Sequence, residues 1–198
     1  EPEAVFMGNH GLIISGNTPA EIKEKTDRVL DVILKELGTL SDRPFGEIHM
    51  LKDDHAKHLI NVIAPTLRGL LSDGPALKVV TFDDSEIVKA FTGGLEGQAT
   101  AAGGPMIPDQ IVYCKSFPLW VACDPTASEA EILTYLRNAV TIHTEETGFA
   151  PLVILVQGLG MFTVGDSYKD AATVRDIYID DIKIMAGARQ LSGVEYMT

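Results

Sequence analysis

Two hydrophobic periodicities alternate along the chain. Short apolar runs such as Ala4–Met7 contain aromatic and β-branched residues and are too short for helices, so they predict strands. Longer segments carry apolar residues at helical spacing, as at Val29 and Ile33, and predict amphipathic helices. The predicted strands are 4–7, 12–14, 77–82, 110–113, 117–122, 152–156 and 161–164, of which 110–113 and 117–122 are either two strands or one bent strand. The predicted helices are 18–38, 54–72, 85–91, 128–148 and 167–188. This alternation predicts an α/β fold.

Local signals predict where several elements begin and end. Thr18-Pro19-Ala20-Glu21 offers a side-chain cap, a proline at the first helical position and a glutamate that can reach back to the cap, and Ser128-Glu129-Ala130-Glu131 has the same capping pattern. We expect Pro65 to stop or kink its helix, because proline lacks an amide donor. Residues 93–108 are rich in Gly, Ala and Pro and lack periodicity, which predicts a mobile surface loop.

An internal repeat is the most informative feature of the sequence. Gly160 lies 149 positions after Gly11, and the register continues without a gap through a helix cap and a helix. The other matching pairs are Gly16 and Gly165, Asn17 and Asp166, Thr18 and Ser167, Glu21 and Asp170, Asp27 and Asp176, Asp31 and Asp180, and Ile33 and Ile182. Two interpretations stay open: common helix punctuation, or one ancestral unit used twice. In the second, His10 of one copy is replaced by Leu159 in the other.

The charge balance argues against two classes of partner. The 198 residues include 16 Lys and Arg against 28 Asp and Glu, a formal net charge of −12. We therefore expect no nucleic acid and no anionic membrane as partner, since little positive charge is present to replace their counterions. No apolar run reaches the roughly 18 residues of a membrane span and no secretory signal is evident, so we expect a cytoplasmic protein. Cys114 and Cys123 form no Cys-x-x-Cys pair, and we expect both to be reduced and inert.

Several side chains are candidates for metal binding or catalysis. His55 and His58 lie three positions apart beside Asp54, a spacing that can bind zinc if further ligands come from elsewhere; a solvated helix start is the alternative. His143 lies on the apolar stripe of its predicted helix, where a histidine at the edge of the core is the alternative to a catalytic role. Lys115 is a candidate Schiff-base lysine, a role that requires burial.

Two glycine-containing turns are also candidates. His10 precedes Gly11 at the end of a predicted strand, where it suits a metal ligand or an acid/base; a structural hydrogen-bonding role is the alternative. Gly158-Leu159-Gly160 suggests a nucleotide loop. It lacks the Lys-Ser/Thr of a phosphate loop and the third glycine of a dinucleotide fingerprint, so we do not expect nucleotide binding there.

The segment Met7-Gly8-Asn9-His10-Gly11-Leu12-Ile13-Ile14-Ser15-Gly16, followed by a Thr-Pro-x-Glu helix start, resembles the closing segment of the class II aldolase/adducin fold. In enzymes of that family, this histidine completes a divalent-metal site, normally zinc. Two other histidines come from an earlier His-x-His strand, and a catalytic glutamate comes earlier still. The resemblance implies that His10 is a metal ligand. Only nine residues precede His10, so we expect a piece of a longer polypeptide that does not bind zinc by itself.

The rest of the chain resembles the stretch after the aldolase domain in large sugar-phosphate aldolases related to bifunctional rhamnulose-1-phosphate aldolase/alcohol dehydrogenases. The likeness rests on residues 64–72, 108–110 with 115–119, and 157–162. Cys114 and Ser116 stand where an active copy carries His-x-His, and Leu159 stands at the third histidine. This implies a class II aldolase-like layered sheet with flanking helices and an internal degenerate repeat. The implied parts are a closing segment (1–40), a helical connector (41–75) and a degenerate second aldolase-like domain (76–198).

The resemblance implies a parent enzyme that makes or breaks a carbon–carbon bond in a phosphorylated sugar with the help of zinc. We expect the chain alone to be inactive, because one imidazole cannot hold a catalytic metal that needs about three protein ligands. We also expect a homo-oligomer. Two alternatives stay open: a non-enzymatic interaction or oligomerisation module of adducin-like fold, and a regulatory domain that binds a sugar phosphate.

Overall fold

The computed structural model describes residues 2–39, 41–122, 124 and 127–197. The strands are β1 Ala4–Met7, β2 Gly11–Ile14, β3 Val79–Asp83, β4 Leu119–Val121, β5 Val153–Val156 and β6 Gly160–Gly165. The α-helices are α1 Pro19–Leu37, α2 Asp53–Leu71, α3 Glu86–Gly93, α4 Gly97–Ala101, α5 Glu129–Thr147 and α6 Tyr168–Leu191, and a π-helical turn spans Gln110–Cys114. The predicted α/β class is confirmed. Cys123 lies outside the described residues.

A four-stranded sheet forms the centre of the fold. Its strand order is β3-β6-β5-β4, with β4 parallel to β5 and the other pairs antiparallel. Val153 and Leu155 of β5 belong to the hydrophobic cluster that includes residues of α3 and α6, whereas Ile154 and Val156 belong to the cluster of α2 and α5. Because alternate side chains of a strand point to opposite faces, helices cover both faces of this sheet.

The helix caps predicted from the sequence are present. The Thr18 side chain accepts a hydrogen bond from the backbone N–H of Glu21 at 3.2 Å, and Gly38 ends α1. The Ser128 hydroxyl accepts from the N–H of Glu131, whose carboxylate accepts from the N–H of Ser128, so α5 begins with a complete capping box. Short polar signals therefore predicted both helix starts.

Pro65 does not end its helix. Helix α2 runs from Asp53 to Leu71, with Pro65 inside it. Proline removes one backbone hydrogen bond there. However, Leu59, Ile63 and Leu67 of this helix are fully buried against the sheet and α5. The buried face maintains the helix across the missing bond.

The predicted surface loop at 93–108 is wrong in part. The segment contains α4, and Gly94, Gly97 and Met106 within it are buried. A side chain at Gly97 would place its Cβ atom 2.0 Å from the carbonyl oxygen of Phe91, so the small residues serve close packing. Gln110–Tyr113, predicted as a strand, belongs to the π-helical turn.

The first two strands stand apart from the central sheet. β1 and β2 pair only with each other among the described residues, and α1 has no buried residue. We call residues 4–37 the N-terminal unit. Its helix end is attached to α6, where the Gln190 side chain donates to the carbonyl of Leu37 at 2.7 Å and to that of Thr39 at 2.8 Å.

The two hairpins, β1-β2 and β5-β6, have the same strand register at the same offset as the sequence repeat. Shifting the four residue pairs of β1 and β2 by 149 positions gives the four pairs of β5 and β6, from Ala4 with Ile14 (Val153 with Thr163) to Met7 with Gly11 (Val156 with Gly160). The cap is repeated too, since the Ser167 side chain accepts from the N–H of Asp170. The internal repeat is therefore a strand–turn–strand–helix unit present twice.

None of the helices within the described residues combines the length and apolar content needed to cross a membrane.

Candidate functional site

The turn between β1 and β2 carries the predicted metal ligand. Asn9 adopts a left-handed backbone conformation with φ of 54°, which asparagine tolerates better than most residues. Its side-chain amide donates to the carbonyl oxygens of Met106 and Glu195, each at 3.1 Å. These two bonds hold the turn against the segment before the π-helical turn and against the C-terminal tail.

His10 follows this anchor and is exposed. Its backbone N–H donates to the carbonyl of Met7 at 3.1 Å, which closes the turn. Gly11 has φ of 142°, a conformation that disfavours a side chain. Across the described residues, no three His, Cys, Asp or Glu side chains come close enough together to hold a metal ion. His10 is thus exposed on a hydrogen-bonded turn with no group of companion ligands in the described part of the chain, and its role as a ligand stays a prediction.

The equivalent turn of the second copy has the same backbone and different chemistry. The N–H of Leu159 donates to the carbonyl of Val156 at 3.0 Å, as His10 does to Met7. Gly158 is left-handed like Asn9, with φ of 69°. Leu159 is buried in the hydrophobic cluster of α2 and α5. The side chain at the position of His10 is here a core residue.

Cys114 and Ser116 occupy the other positions at which the resemblance places histidines. The Cys114 thiol is buried and donates to the carbonyl of Val174 at 3.4 Å. Burial, and secondarily the nearby Asp181, raises the pKa of this thiol, so it stays neutral. The backbone carbonyl of Ser116 accepts from the buried Gln110 amide at 3.3 Å.

The residues of the second copy do not fit a zinc ion. Zinc binds thiolate, imidazole or carboxylate. Leu159 offers no donor atom and Ser116 offers only a hydroxyl, so Cys114 is the one side chain of the three with an atom that zinc commonly binds. The two residues also belong to hydrophobic clusters on opposite faces of the sheet. No metal chemistry can be assigned to these positions.

Lys115 is partly buried between these two positions. Its φ of 69° and ψ of 163° lie in a region that is almost restricted to glycine. The packing of Cys114 on one side and the Gln110 bond to Ser116 on the other hold this conformation. The Schiff-base role stays a prediction.

The histidines of α2 lie apart from the hairpin turns. His55 is half-buried, His58 is exposed, and both lie in the first two turns of the helix. The Nε2 atom of His55 is buried and has no hydrogen-bond partner among the described residues. No third ligand approaches the pair within that part of the chain.

His143 lies on the buried face of α5. The edge of its ring meets the ring of Phe149, with centroids 5.7 Å apart and planes at 74°. Burial lowers the pKa of His143, and Glu146 opposes the shift only in part, so the neutral imidazole is favoured. These contacts suit a packing residue.

Gly158-Leu159-Gly160 lies in the turn that joins the antiparallel strands β5 and β6. A dinucleotide or phosphate loop instead joins a strand to a helix, whose N-terminus binds the phosphate. The N–H of Gly158 is already used by the carbonyl of Thr92 at 3.0 Å. The turn therefore differs in its place in the fold from both kinds of nucleotide loop.

The sequence interpretation missed a buried acid on α6. Asp181 has no exposed surface, and neither of its carboxylate oxygens has a hydrogen-bond partner among the described residues. Burial raises its pKa to about 7, and the charges of Asp180 and Asp109 add to the rise. The buried Tyr178 hydroxyl, one helical turn earlier, also lacks a partner there. The helical spacing of Val174, Tyr178 and Asp181 could have revealed this position.

Comparison with known proteins decides the family. A family model described as "Aldolase class II, second domain" matches residues 58–197, most of the chain. The chain belongs to the class II aldolase family. The matched part of this aldolase-family chain begins in α2 and includes the whole central sheet, whereas the N-terminal unit precedes it. No solved structure matches the chain.

One curated relative is similar along nearly the whole chain. It is an uncharacterized oxidoreductase, YuxG, of Bacillus subtilis (strain 168), 27% identical over 212 residues. The alignment covers 96% of this chain and 30% of the relative. The chain therefore spans less than a third of the length of the relative, and the word oxidoreductase describes that longer protein.

Proposed function

We propose that this class II aldolase-family chain has no complete metal site of its own and works together with a zinc-dependent aldolase domain of the same, longer polypeptide. It contributes His10 to that domain and has no aldolase activity alone. The substrate is a phosphorylated sugar, and the assembled protein is a homo-oligomer. When bound, a divalent metal polarises a carbonyl oxygen of the substrate.

The observation that carries this proposal is the pair of matched turns. The same backbone presents an exposed imidazole at His10 and a buried aliphatic side chain at Leu159. A catalytic zinc site needs about three protein ligands, and the described residues group no three candidates. A histidine in one turn and a leucine at the matching position of the other favour a function that needs another domain.

The net charge of −12 also favours a substrate site on the metal-bearing domain and not on this chain. A phosphorylated sugar is an anion, and this chain has little positive charge to attract it. A metal ion is often the largest local charge in a site and supplies that attraction. Substrate binding is therefore expected at the metal-bearing domain and not on the central sheet described above.

Zinc binding by the full natural polypeptide tests the proposal. We expect zinc to bind the wild type, and His10→Ala to weaken the affinity at least about tenfold and to abolish carbon–carbon cleavage. The 198-residue chain should bind no zinc stoichiometrically.

His58→Ala is the matched control, since it removes another exposed imidazole and should leave zinc binding unchanged. Unchanged zinc affinity in His10→Ala would refute the role of His10. A full polypeptide without zinc affinity would favour the non-enzymatic interaction module instead.

A further inference from the structure

The N-terminal unit exposes an unusual amount of apolar surface. Phe6 in β1 is 66% exposed, Ile13 in β2 is 51% exposed, and Val32 in α1 is 59% exposed. Further large hydrophobic residues of this unit are also exposed, namely Val5, Ile22, Leu30, Ile33 and Leu34. Both faces of the hairpin contribute, because Phe6 and Ile13 match positions that point to opposite faces of the central sheet.

The second copy shows what these positions look like when covered. Phe6 corresponds to Leu155, Ile13 to Phe162 and Ile33 to Ile182. Leu155, Phe162 and Ile182 are each 0% exposed. The two units share backbone register and capping, so the difference in burial comes from their surroundings.

Those surroundings can be named element by element. In the central sheet, β6 has an antiparallel neighbour in β3, and β5 has a parallel neighbour in β4. Helices α2 and α5 pack on the face that includes Phe162, and α3 contributes to the face that includes Leu155. Among the described residues, the N-terminal unit has no counterpart to these strands and to these helices.

We propose that the N-terminal unit is an interaction surface that completes a second four-stranded sheet. Its partner is a domain of the same polypeptide built like the one described here. That domain adds a strand antiparallel to β2, a strand parallel to β1, and helices on both faces. Open strand edges and an unsupported two-stranded hairpin are otherwise unfavourable in water.

The chain lengths favour a partner in the same polypeptide. The alignment with the B. subtilis relative covers 96% of this chain but 30% of the relative, which leaves length for such a domain. The family description "second domain" agrees with this arrangement. The inference rests on the proposed function for the identity of the partner, and on the matched registers for its geometry.

Completion of the sheet changes the environment of His10. The corresponding Leu159 is 3% exposed, enclosed by the layer of α2 and α5. His10, now exposed, is then enclosed by the equivalent helical layer of the partner domain. Binding of the N-terminal unit thus places the imidazole of His10 inside that domain.

Single substitutions in the full natural polypeptide and in the 198-residue chain test the surface. In the full polypeptide, Phe6→Asp should lower Tm by about 5 °C or more, because it places a charge in a core. In the 198-residue chain the same change should shift Tm by less than about 1 °C, because Phe6 is already exposed. If the aspartate variant of the full polypeptide does not fold, Phe6→Ala gives a smaller loss in the same direction.

Val112→Asp is the matched control. Val112 is 63% exposed on the π-helical turn, which lies outside the repeated unit, and it should be neutral in both chains. A neutral Phe6→Asp in the full polypeptide would overturn the inference, as would a dimer of the 198-residue chain that Phe6→Asp dissociates in sedimentation. Zinc loss in His10→Ala is measured separately, so failure of the metal role and failure of the surface are distinguishable.

Discussion

Asp181 is the residue whose environment departs most from what its chemistry favours. A carboxylate normally keeps water or a donor beside each oxygen, and both oxygens of Asp181 are buried without a partner in the described part of the chain. Its neighbours add no compensating bond within that part of the chain, since the Tyr178 hydroxyl also lacks a partner and the Cys114 thiol donates to the carbonyl of Val174. The acid is therefore accommodated best in its protonated form.

The stability of the chain should depend on pH through Asp181. The pKa of Asp181 rises from an ordinary 3.8 to about 7 on folding, so the folded chain holds this proton more tightly than the unfolded chain. Stability from this residue is greatest below roughly pH 4 and falls as the pH rises from there to about 7, because the unfolded chain releases the proton first. Asp181→Asn should remove that fall and be more stable than the wild type at pH 8. Urea unfolding at several pH values measures the free energy of unfolding of the wild type and of this variant.

Asp180→Asn provides the comparison at the adjacent position. Asp180 is exposed and pairs with Lys183 at 2.8 Å, so its replacement should leave most of the pH dependence in place. If Asp181→Asn keeps the wild-type decline between pH 4 and 7, the protonated state assigned to Asp181 is wrong.

Single residues also show where prediction from sequence succeeds. The contrast between His10 and Leu159 followed from a fixed offset, because a repeat retains the spacing of its residues. The burial of Asp181 was not predicted, because two aspartates stand side by side in the sequence and charge alone does not show which of them faces inward. Burial depends on which face of α6 meets the sheet, and for Asp181 that face is indicated only by its helical spacing from Val174 and Tyr178.

At the scale of elements, the repeated unit joins its second strand to its helix through a glycine. In the second copy, a Cβ atom on Gly165 would lie 2.3 Å from the backbone nitrogen of Ala171, which cannot move without shifting α6. In the first copy, a Cβ atom on Gly16 would lie 3.0 Å from the Cγ1 atom of Ile22 and 3.3 Å from its backbone nitrogen, so these neighbours would have to give by only a few tenths of an ångström. The same sequence position is thus under different constraint in the two copies.

The tighter packing at Gly165 than at Gly16 should appear as a difference in stability between two alanine variants. Gly165→Ala should lower the free energy of unfolding by about 2 to 3 kcal/mol, the upper part of the range for overpacking changes in a core. Gly16→Ala should lower it by less than about 1 kcal/mol, because the exposed unit can relax. Each variant serves as the control for the other in urea unfolding. Equal losses would contradict the unequal packing of the two units.

Elements with local signals were predictable and those set by packing were not. The caps at Thr18 and Ser128 depend on hydrogen bonds within four residues, so the sequence indicates them directly. The π-helical turn depends on Gln110, whose buried side chain accepts from the N–H of Met106 at 2.9 Å and donates to Ser116. Pro65 stays helical because neighbouring side chains are buried. Apolar spacing predicted a helix across Pro65, but no local signal showed that the proline would be accommodated.

At the scale of the whole molecule, the chain divides into a complete part and an incomplete part. The central sheet has helices on both faces and two continuous hydrophobic clusters. The N-terminal unit repeats part of that architecture and is held mainly at its two ends, by Asn9 at the turn and by Gln190 at the end of α1. The class II aldolase assignment covers the complete part.

This division predicts unequal local stability. Buried strands open only with the whole domain, whereas exposed elements open with small free energies. The N-terminal unit should therefore open without unfolding the central sheet. No comparable separation is expected between β5 and β6, which share one sheet and both clusters.

Amide hydrogen exchange of the 198-residue chain tests this most directly. Amides of β5 and β6 should exchange with the free energy of global unfolding, and those of β1 and β2, matched to them pair by pair, should exchange at least about a hundredfold faster. Equal protection in the two hairpins would contradict the account, because it would mean that the N-terminal unit is already a complete part of the folded domain.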